Sequence, residues 1–125
     1  MNYVDGFVTP VPKRKVEAYR RFARKGAKVF RQHGALEYRE CIADDLPPAK
    51  GVSFPRSVKL KPGEIVFFSW IVYKSRAHRD RVMAKAMKDP AFAHVDPKTL
   101  PFDWKRTVYG GFKIVVESKS RGRTS

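Results

Sequence analysis

The chain has 125 residues, of which 42% are hydrophobic, and it carries a formal net charge of +15. That length suits one domain and leaves no room for a second. A single cysteine, Cys41, excludes an internal disulfide and is typical of a reducing compartment. Asp5 interrupts the apolar start, which is unlike a signal peptide, and the apolar run 65–73 is far shorter than the roughly 20 residues of a membrane span. We therefore expect a cytoplasmic protein without a membrane partner.

The positive charge is spread along the chain and is not confined to one arm. Residues 1–62 carry 14 basic and 6 acidic side chains, and residues 63–125 carry 13 and 6. Such a surface attracts polyanions at low salt without selecting among them. The charge therefore indicates a solvated basic surface or, alternatively, a nucleic-acid site.

In the first third of the chain, a strand is predicted at residues 2–9, ended by Pro10 and Pro12. A helix follows over residues 13–33, because its apolar residues recur at helical spacing and Gly34 is a natural stop. Its opposite face carries eight basic residues, namely Lys13, Arg14, Arg20, Arg21, Arg24, Lys25, Lys28 and Arg31. Residues 35–43 alternate in polarity and predict a half-buried strand.

The middle of the chain is predicted to be a loop over residues 47–63, with a short edge segment at 58–60. Residues 64–74 form the surest strand. Ser75 is the expected N-cap of a second helix that runs to about residue 88.

Towards the end of the chain, residues 91–95 are expected to add a helical turn. The last strand is predicted at residues 106–117, and residues 118–125 are expected to form a disordered basic tail. The resulting order is βαββαβ, which predicts one ferredoxin-like α+β domain over residues 1–117, with an antiparallel sheet and two helices on one face.

The strand at residues 64–74 has apolar residues on both faces. A two-layer domain buries only one face of its sheet, so the second face needs a partner. We expect that partner to be the same sheet of an identical subunit, which predicts a homodimer.

Five separated segments resemble the YbaA-like bacterial family of unknown function. They are Asn-Tyr-Val-Asp-Gly-Phe at 2–7, Leu-Glu-Tyr-Arg-Glu-Cys at 36–41, Phe-Ser-Trp-Ile at 68–71, Ser-Arg-Ala-His-Arg-Asp at 75–80 and Tyr-Gly-Gly-Phe at 109–112. The resemblance implies a dimeric α+β barrel, in which two ferredoxin-like sheets face each other. It implies no activity. The wider superfamily includes cofactor-independent monooxygenases, isomerases, peroxidases and ligand-sensing domains, which are related to this chain by fold analogy alone.

Arg79 is the unusual residue of the second helix. It projects between Val82 and Ala86 on the apolar side, where an unpaired charge is costly. It is expected either to form a buried ion pair or to hold an anionic ligand near the sheet. The triplet His78-Arg79-Asp80 imitates a kinase motif, but the chain lacks the other kinase elements.

Two carboxylates are the candidate catalytic groups. Asp5 lies beside Tyr3 on the first strand, and Glu40 lies beside Tyr38 on the second. If these faces line a cavity between the sheets of two subunits, burial would raise the pKa of a carboxylate there and allow general acid or base catalysis. The alternative is an ion pair with an arginine at the interface. The full set predicted to line the cavity is Tyr3, Asp5, Tyr38, Glu40, Trp70, Arg79 and Tyr109.

The sequence therefore predicts a homodimer that binds a small organic molecule, as an enzyme of monooxygenase or isomerase type or as a sensor. No cofactor or metal is predicted, because no phosphate loop or dinucleotide fingerprint occurs and the three histidines are scattered. A structural or regulatory dimer without a ligand is one alternative.

RNA or polyanion binding is another alternative, through the basic face of the helix at residues 13–33. Its candidate contacts are Arg14, Arg21, Lys25 and Lys28. The RNA-recognition module shares the βαββαβ order, but its glycine-containing octamer belongs on the third strand, whereas the nearest match here, residues 109–116, lies on the fourth.

Overall fold

A computed structural model describes residues 2–47 and 51–118. The strands and helices, in chain order, are β1 (Tyr3–Pro12), α1 (Val16–Gln32), β2 (Glu37–Ile42), α2 (Phe54–Ser57), β3 (Glu64–Tyr73), α3 (Arg76–Lys88) and β4 (Val108–Lys113). The strands form one antiparallel sheet in the order β2-β3-β1-β4. This is the ferredoxin-like α+β arrangement, and the predicted fold is confirmed.

Strand β1 runs three residues beyond its predicted end and includes both prolines. Pro10 and Pro12 face Val66 and Glu64 of β3, whereas pairing with β4 stops at Val8. Proline has no backbone N–H to donate, and within residues 2–47 and 51–118 no strand pairs with the other side of β1 at these two positions. Beyond Val8, β1 is therefore paired with β3 alone, and the strand continues to Pro12.

Helix α1 covers one side of the sheet. Its buried residues recur at helical spacing and are Tyr19, Ala23, Gly26, Val29 and Phe30. The predicted stop is observed: Gly34 has φ +116, a conformation that favours glycine. His33, at the end of α1, lies 3.0 Å from Asp89, at the end of α3, which ties the two helix ends together.

Helix α3 begins as predicted. The Ser75 hydroxyl accepts a hydrogen bond from the His78 amide at 3.0 Å and caps the first turn. Val82 and Ala86 are fully buried against the core. The expected extra turn also occurs after α3, because the Ala93 amide bonds to the Asp89 carbonyl.

The segment between β2 and β3 differs from the prediction. A short helix, α2, forms at Phe54–Ser57, with Ser53 as its N-cap and a proline in its first turn. The expected edge segment at residues 58–60 is not a strand. Instead, the side chain of Val58 is buried and Lys59 has a positive φ.

The last strand, β4, is shorter than predicted. β4 spans six residues, not the predicted 106–117, because Arg106 belongs to a 3-10 turn, Trp104–Arg106. That arginine pairs with Glu64 at 2.5 Å and Asp103 at 2.9 Å, which fixes the loop before β4. Of the predicted tail, all but Ser118 lies outside the described residues.

The two faces of the sheet are unlike. The helix-covered face carries Tyr3, Asp5, Phe7, Tyr38, Glu40, Ser69, Ile71 and Tyr73, and it packs against α1 and α3. The opposite face, here called the open face, carries Val4, Val8, Val66, Phe68, Trp70, Val72, Val108 and Phe112. Helix α2 covers part of it, since Val66 is buried and Phe54 packs against Phe68.

No helix in the described ranges is both long and apolar enough to span a bilayer.

Candidate functional site

Glu40 lies on the helix-covered face of β2, with its carboxylate between two phenols. Tyr19, from the buried side of α1, donates to one carboxylate oxygen at 2.9 Å. Tyr38, two residues earlier on the same face of β2, donates to the other oxygen at 3.3 Å. Alternation along β2 sets the side of Glu40, and the helical register of α1 brings Tyr19 above it.

Burial dominates the electrostatics of Tyr19, Tyr38 and Glu40, here called the trio. It raises the pKa of Glu40, and hydrogen bonds from the two phenols and from Ser69 offset only part of that rise. Burial also raises the pKa values of Tyr19 and Tyr38, and the nearby carboxylate adds to both shifts. The phenols therefore stay protonated donors, and the pKa of Glu40 lies above that of an exposed glutamate.

A cavity of about 300 Å³, here called the inner cavity, lies between the helix layer and the sheet beside Glu40. Much of its lining is aromatic and includes Phe7, Phe22, Phe30, Phe102, Trp104 and Tyr109. Glu40 is the one carboxylate among its lining residues, and no Lys, Arg or His lines it. The cavity thus offers a mainly apolar, aromatic space with one carboxylate in its wall.

A second cavity of about 340 Å³, here called the outer cavity, lies on the other side of the same trio, between α1 and the β2 edge of the sheet. It shares Tyr19, Tyr38 and Glu40 with the inner cavity. Its remaining lining residues are Arg20, Ala23, Arg24, Ala27, Ile42 and Phe67. Glu40 is therefore adjacent to two cavities of different character.

Asp5 lies on the same sheet face but in a different environment. Its carboxylate is 4% exposed and lies 2.6 Å from the guanidinium of Arg79 on α3. Arg79 also contacts Asp80 at 2.7 Å and lies over the ring of Tyr3. Burial raises the pKa of Asp5, and the adjacent guanidinium opposes that shift. The buried ion pair proposed for Arg79 is thus present.

Comparison with known proteins identifies the family. Residues 2–104 match the family described as "Protein of unknown function (DUF1428)". The chain belongs to this family. It is 44% identical over 117 residues to the uncharacterized protein YbaA of Escherichia coli strain K12, covering 94% of this chain and 99% of YbaA, and the match to Shigella flexneri YbaA has the same values. The resemblance inferred from the sequence is confirmed.

Solved structures share the fold of this DUF1428 member at low sequence identity. A dimeric ferredoxin-like protein from an uncultured marine organism superposes with a TM-score of 0.58 at 15% identity, covering 94% of this chain and all of the other. An uncharacterized NIPSNAP domain protein from Burkholderia xenovorans gives 0.54 at 14% identity, covering 94% and 99%. These similarities support the fold.

The predicted cavity residues do not form one site. Tyr38, Glu40 and Tyr109 line the inner cavity, with Tyr109 at 74% exposure. Asp5, Arg79 and Tyr3 form the buried ion-pair cluster. Trp70 is on the open face, where its indole donates to Glu37 at 2.7 Å.

The expectation that Asp5 and Glu40 face a space between two sheets is wrong. Both carboxylates are on the helix-covered face, held by Arg79 of α3 and Tyr19 of α1 respectively. The error concerns which face of the sheet the helices cover. The catalytic and binding roles of these residues remain predictions.

Several residues of the inner cavity are not among those predicted from the sequence to line a site. Helical spacing places Tyr19 on the apolar side of α1, where the hydroxyl of its phenol needs a partner. Phe102 and Trp104 come from the loop before β4, and Phe102 packs edge-on against the ring of Tyr19. No sequence pattern indicates that this loop lies beside α1.

The basic residues proposed for polyanion binding are exposed on α1 and the turn before it. They are Arg14, Arg21, Lys25 and Lys28. Lys25 lies 5.3 Å from the ring centroid of Phe92 and is therefore partly engaged by an aromatic face. Polyanion binding remains a prediction. Within residues 2–47 and 51–118, no group of three or more His, Cys, Asp or Glu side chains is placed to hold a metal ion.

Proposed function

We propose that this protein binds a small, uncharged organic molecule with an aromatic body in the inner cavity, and that Glu40 exchanges a proton with it. One observation carries the proposal: a half-buried carboxylate, held by two phenols, forms part of the wall of a mainly apolar cavity. Its volume of about 300 Å³ is within the range of small-molecule pockets.

The lining favours an uncharged ligand. An anion would meet a carboxylate and no basic side chain, and a cation paired with Glu40 would favour its charged form and oppose uptake of a proton. A flat ring can pack against Phe7 and Phe30, which lie on opposite sides of the cavity as parts of the sheet and α1.

Proton transfer of the isomerase type suits this arrangement best. The Glu40 carboxylate would take a proton from an acidic C–H or O–H bond of the ligand, leaving the electron pair on the ligand as an enolate or phenolate. The proton would return to the same or a neighbouring atom, which closes the cycle without an oxidant or reductant. Tyr19 and Tyr38 would position Glu40 through the hydrogen bonds that they donate to its carboxylate.

Deuterium exchange tests the proposal directly. The probe is 2-tetralone, an uncharged bicyclic ketone with acidic C–H bonds, and NMR in D₂O follows the loss of its α-proton signals. We expect the wild-type protein to accelerate exchange and Glu40→Gln to lose this effect by about 10²–10⁴-fold. Glu117→Gln makes the same substitution at an exposed position outside the lining of the inner cavity and should exchange like wild type. Equal exchange by wild type and Glu40→Gln would overturn the role of Glu40.

We also propose that the protein is a homodimer joined through the open face. Phe68, Val108 and Phe112 on this face are 43%, 46% and 62% exposed, an apolar surface that an identical sheet could cover. A structural relative of the same fold is described as dimeric, which supports the proposal.

Light scattering after size-exclusion chromatography tests the dimer. We expect twice the mass of one chain for wild type and one chain mass for Phe68→Asp, because a carboxylate would be buried in the interface. Met87→Asp is the matched control, since Met87 has a similar exposure of 48% but lies on α3. A monomeric wild type, or monomers from both variants, would contradict an interface on the open face.

A further inference from the structure

We propose that the outer cavity is a second binding site, which takes a small organic anion such as an aromatic carboxylate. The inference concerns a different cavity from the one above and does not depend on proton transfer by Glu40. It follows from the combination of two arginines at the mouth of the cavity with an apolar floor.

The two arginines are one helical turn apart on α1. Arg20 and Arg24 both line the outer cavity, and both are exposed. Arg20 contacts Glu17 at 3.3 Å, but these side chains are 54% and 70% exposed, so water screens the pair. In the described part of the chain, Arg24 has no ion-pair partner. A carboxylate entering this cavity would therefore find guanidinium groups available.

The floor of the cavity can hold an apolar ring. Ala23 and Ala27 lie one turn apart on the side of α1 that faces β2, and their small side chains leave space between helix and sheet. Ile42 and the buried Phe67 line the cavity from the sheet side. A flat ligand can thus bury its ring against four apolar side chains.

Glu40 sets the orientation of the ligand. Its carboxylate also lines the outer cavity, so it repels a second carboxylate placed deep inside. Its two oxygens already accept hydrogen bonds from Tyr19 and Tyr38, and it does not neutralise the arginines by direct contact. The anionic group therefore belongs at the mouth, between Arg20 and Arg24, with the ring pointing inward.

A titration with benzoate and benzamide tests this site. The two probes have nearly the same shape, but only benzoate is charged, and amide NMR signals of the ¹⁵N-labelled protein report where each one binds. We expect benzoate to shift the signals of Ala23, Ala27 and Ile42 and to bind at least about tenfold more tightly than benzamide. Equal affinities for the two probes would overturn the proposal.

Matched double variants separate this site from diffuse attraction by a basic protein. Arg20→Gln/Arg24→Gln should reduce benzoate affinity to that of benzamide. Lys13→Gln/Lys15→Gln removes the same charge from exposed residues that precede α1 and do not line the cavity, and it should retain benzoate binding. Equal losses in the two double variants would show nonspecific electrostatic attraction and overturn the site.

A third variant tests the apolar floor. Ala27→Leu fills the outer cavity without changing charge, and it should abolish benzoate binding while leaving the remaining amide spectrum that of a folded protein. Arg20→Gln/Arg24→Gln should still accelerate exchange of 2-tetralone over the protein-free rate, whereas Glu40→Gln should not, so failure of the outer site and failure of the inner site give different results. Full benzoate affinity in Ala27→Leu would contradict binding in this cavity.

Discussion

Asp5 and Glu40 are carboxylates on the same face of one sheet, yet their partners differ in kind. Asp5 contacts a guanidinium, whereas Glu40 contacts two neutral phenols. Burial raises the pKa of both groups, but only at Asp5 does a cation oppose the shift. The buried carboxylate of Asp5 and the guanidinium of Arg79 form an ion pair that joins β1 to α3. The half-buried carboxylate of Glu40 has no cation paired with it, which makes it the better candidate for proton transfer.

The largest loss of stability is expected when the guanidinium of Arg79 is removed. Arg79→Met leaves the Asp5 carboxylate buried without a charge partner, which should lower the free energy of unfolding by about 3–5 kcal/mol. Urea denaturation of wild type and variant measures the change.

The double variant Asp5→Asn/Arg79→Met is the control for this effect. It removes both charges together, so it should be more stable than Arg79→Met alone. If the single and double variants were equally unstable, the loss would come from packing of the arginine and not from an unpaired carboxylate.

Much of the architecture follows from sequence periodicity. The 3.6-residue spacing predicts α1, the Ser75 cap predicts the start of α3, and the apolar residues at 64–74 predict the central strand β3. The extension of β1 through Pro10 could not be predicted, because it depends on which neighbours pair at that point. Pairing is a long-range property that local spacing does not contain.

The error about the sheet faces has a specific cause. Both faces of β3 are apolar, so that strand cannot show which side the helices cover. The signal was in Arg79, which lies on the apolar side of α3 and needs a carboxylate on the sheet face below it. Asp5 supplies that carboxylate, and this pairing places its whole face under the helices. The phenol pair at Glu40 required the register between α1 and β2 and was beyond sequence reasoning.

A smaller effect is expected where neutral donors are removed from Glu40. Tyr19→Phe deletes one of its two phenol hydrogen bonds and should lower the free energy of unfolding by about 1–3 kcal/mol at neutral pH. Tyr38→Phe should have a smaller effect, since its hydrogen bond is longer, 3.3 Å against 2.9 Å.

Denaturation at two pH values makes this comparison specific to the carboxylate. Both losses should be greater at pH 7 than at pH 4, because the charged form of Glu40 depends more on hydroxyl donors than the protonated form does. Losses independent of pH would mean that the tyrosines contribute packing alone.

The smallest effect is expected in the pH dependence of stability at Glu40. Its folded pKa is raised by burial, so the native state keeps the proton to a higher pH than the unfolded chain. The resulting stabilisation is fully present below the unfolded pKa and is lost as pH rises through the folded value. The groups that face Glu40 are Tyr19, Tyr38 and Ser69, with Arg20 and Arg24 in the outer cavity. The free energy of unfolding of the wild type, measured by urea denaturation, should therefore fall as the pH rises from the unfolded to the folded pKa of Glu40.

Glu40→Gln cannot ionise and should show a weaker decline than wild type over the same interval. Glu117→Gln, at an exposed position, should reproduce the wild-type profile. Asp5→Asn is not an equivalent test, because it also leaves the Arg79 guanidinium without its buried partner. If Glu40→Gln declined with pH as steeply as wild type, Glu40 would not be a carboxylate with a raised pKa, and its contrast with Asp5 would lose its electrostatic basis.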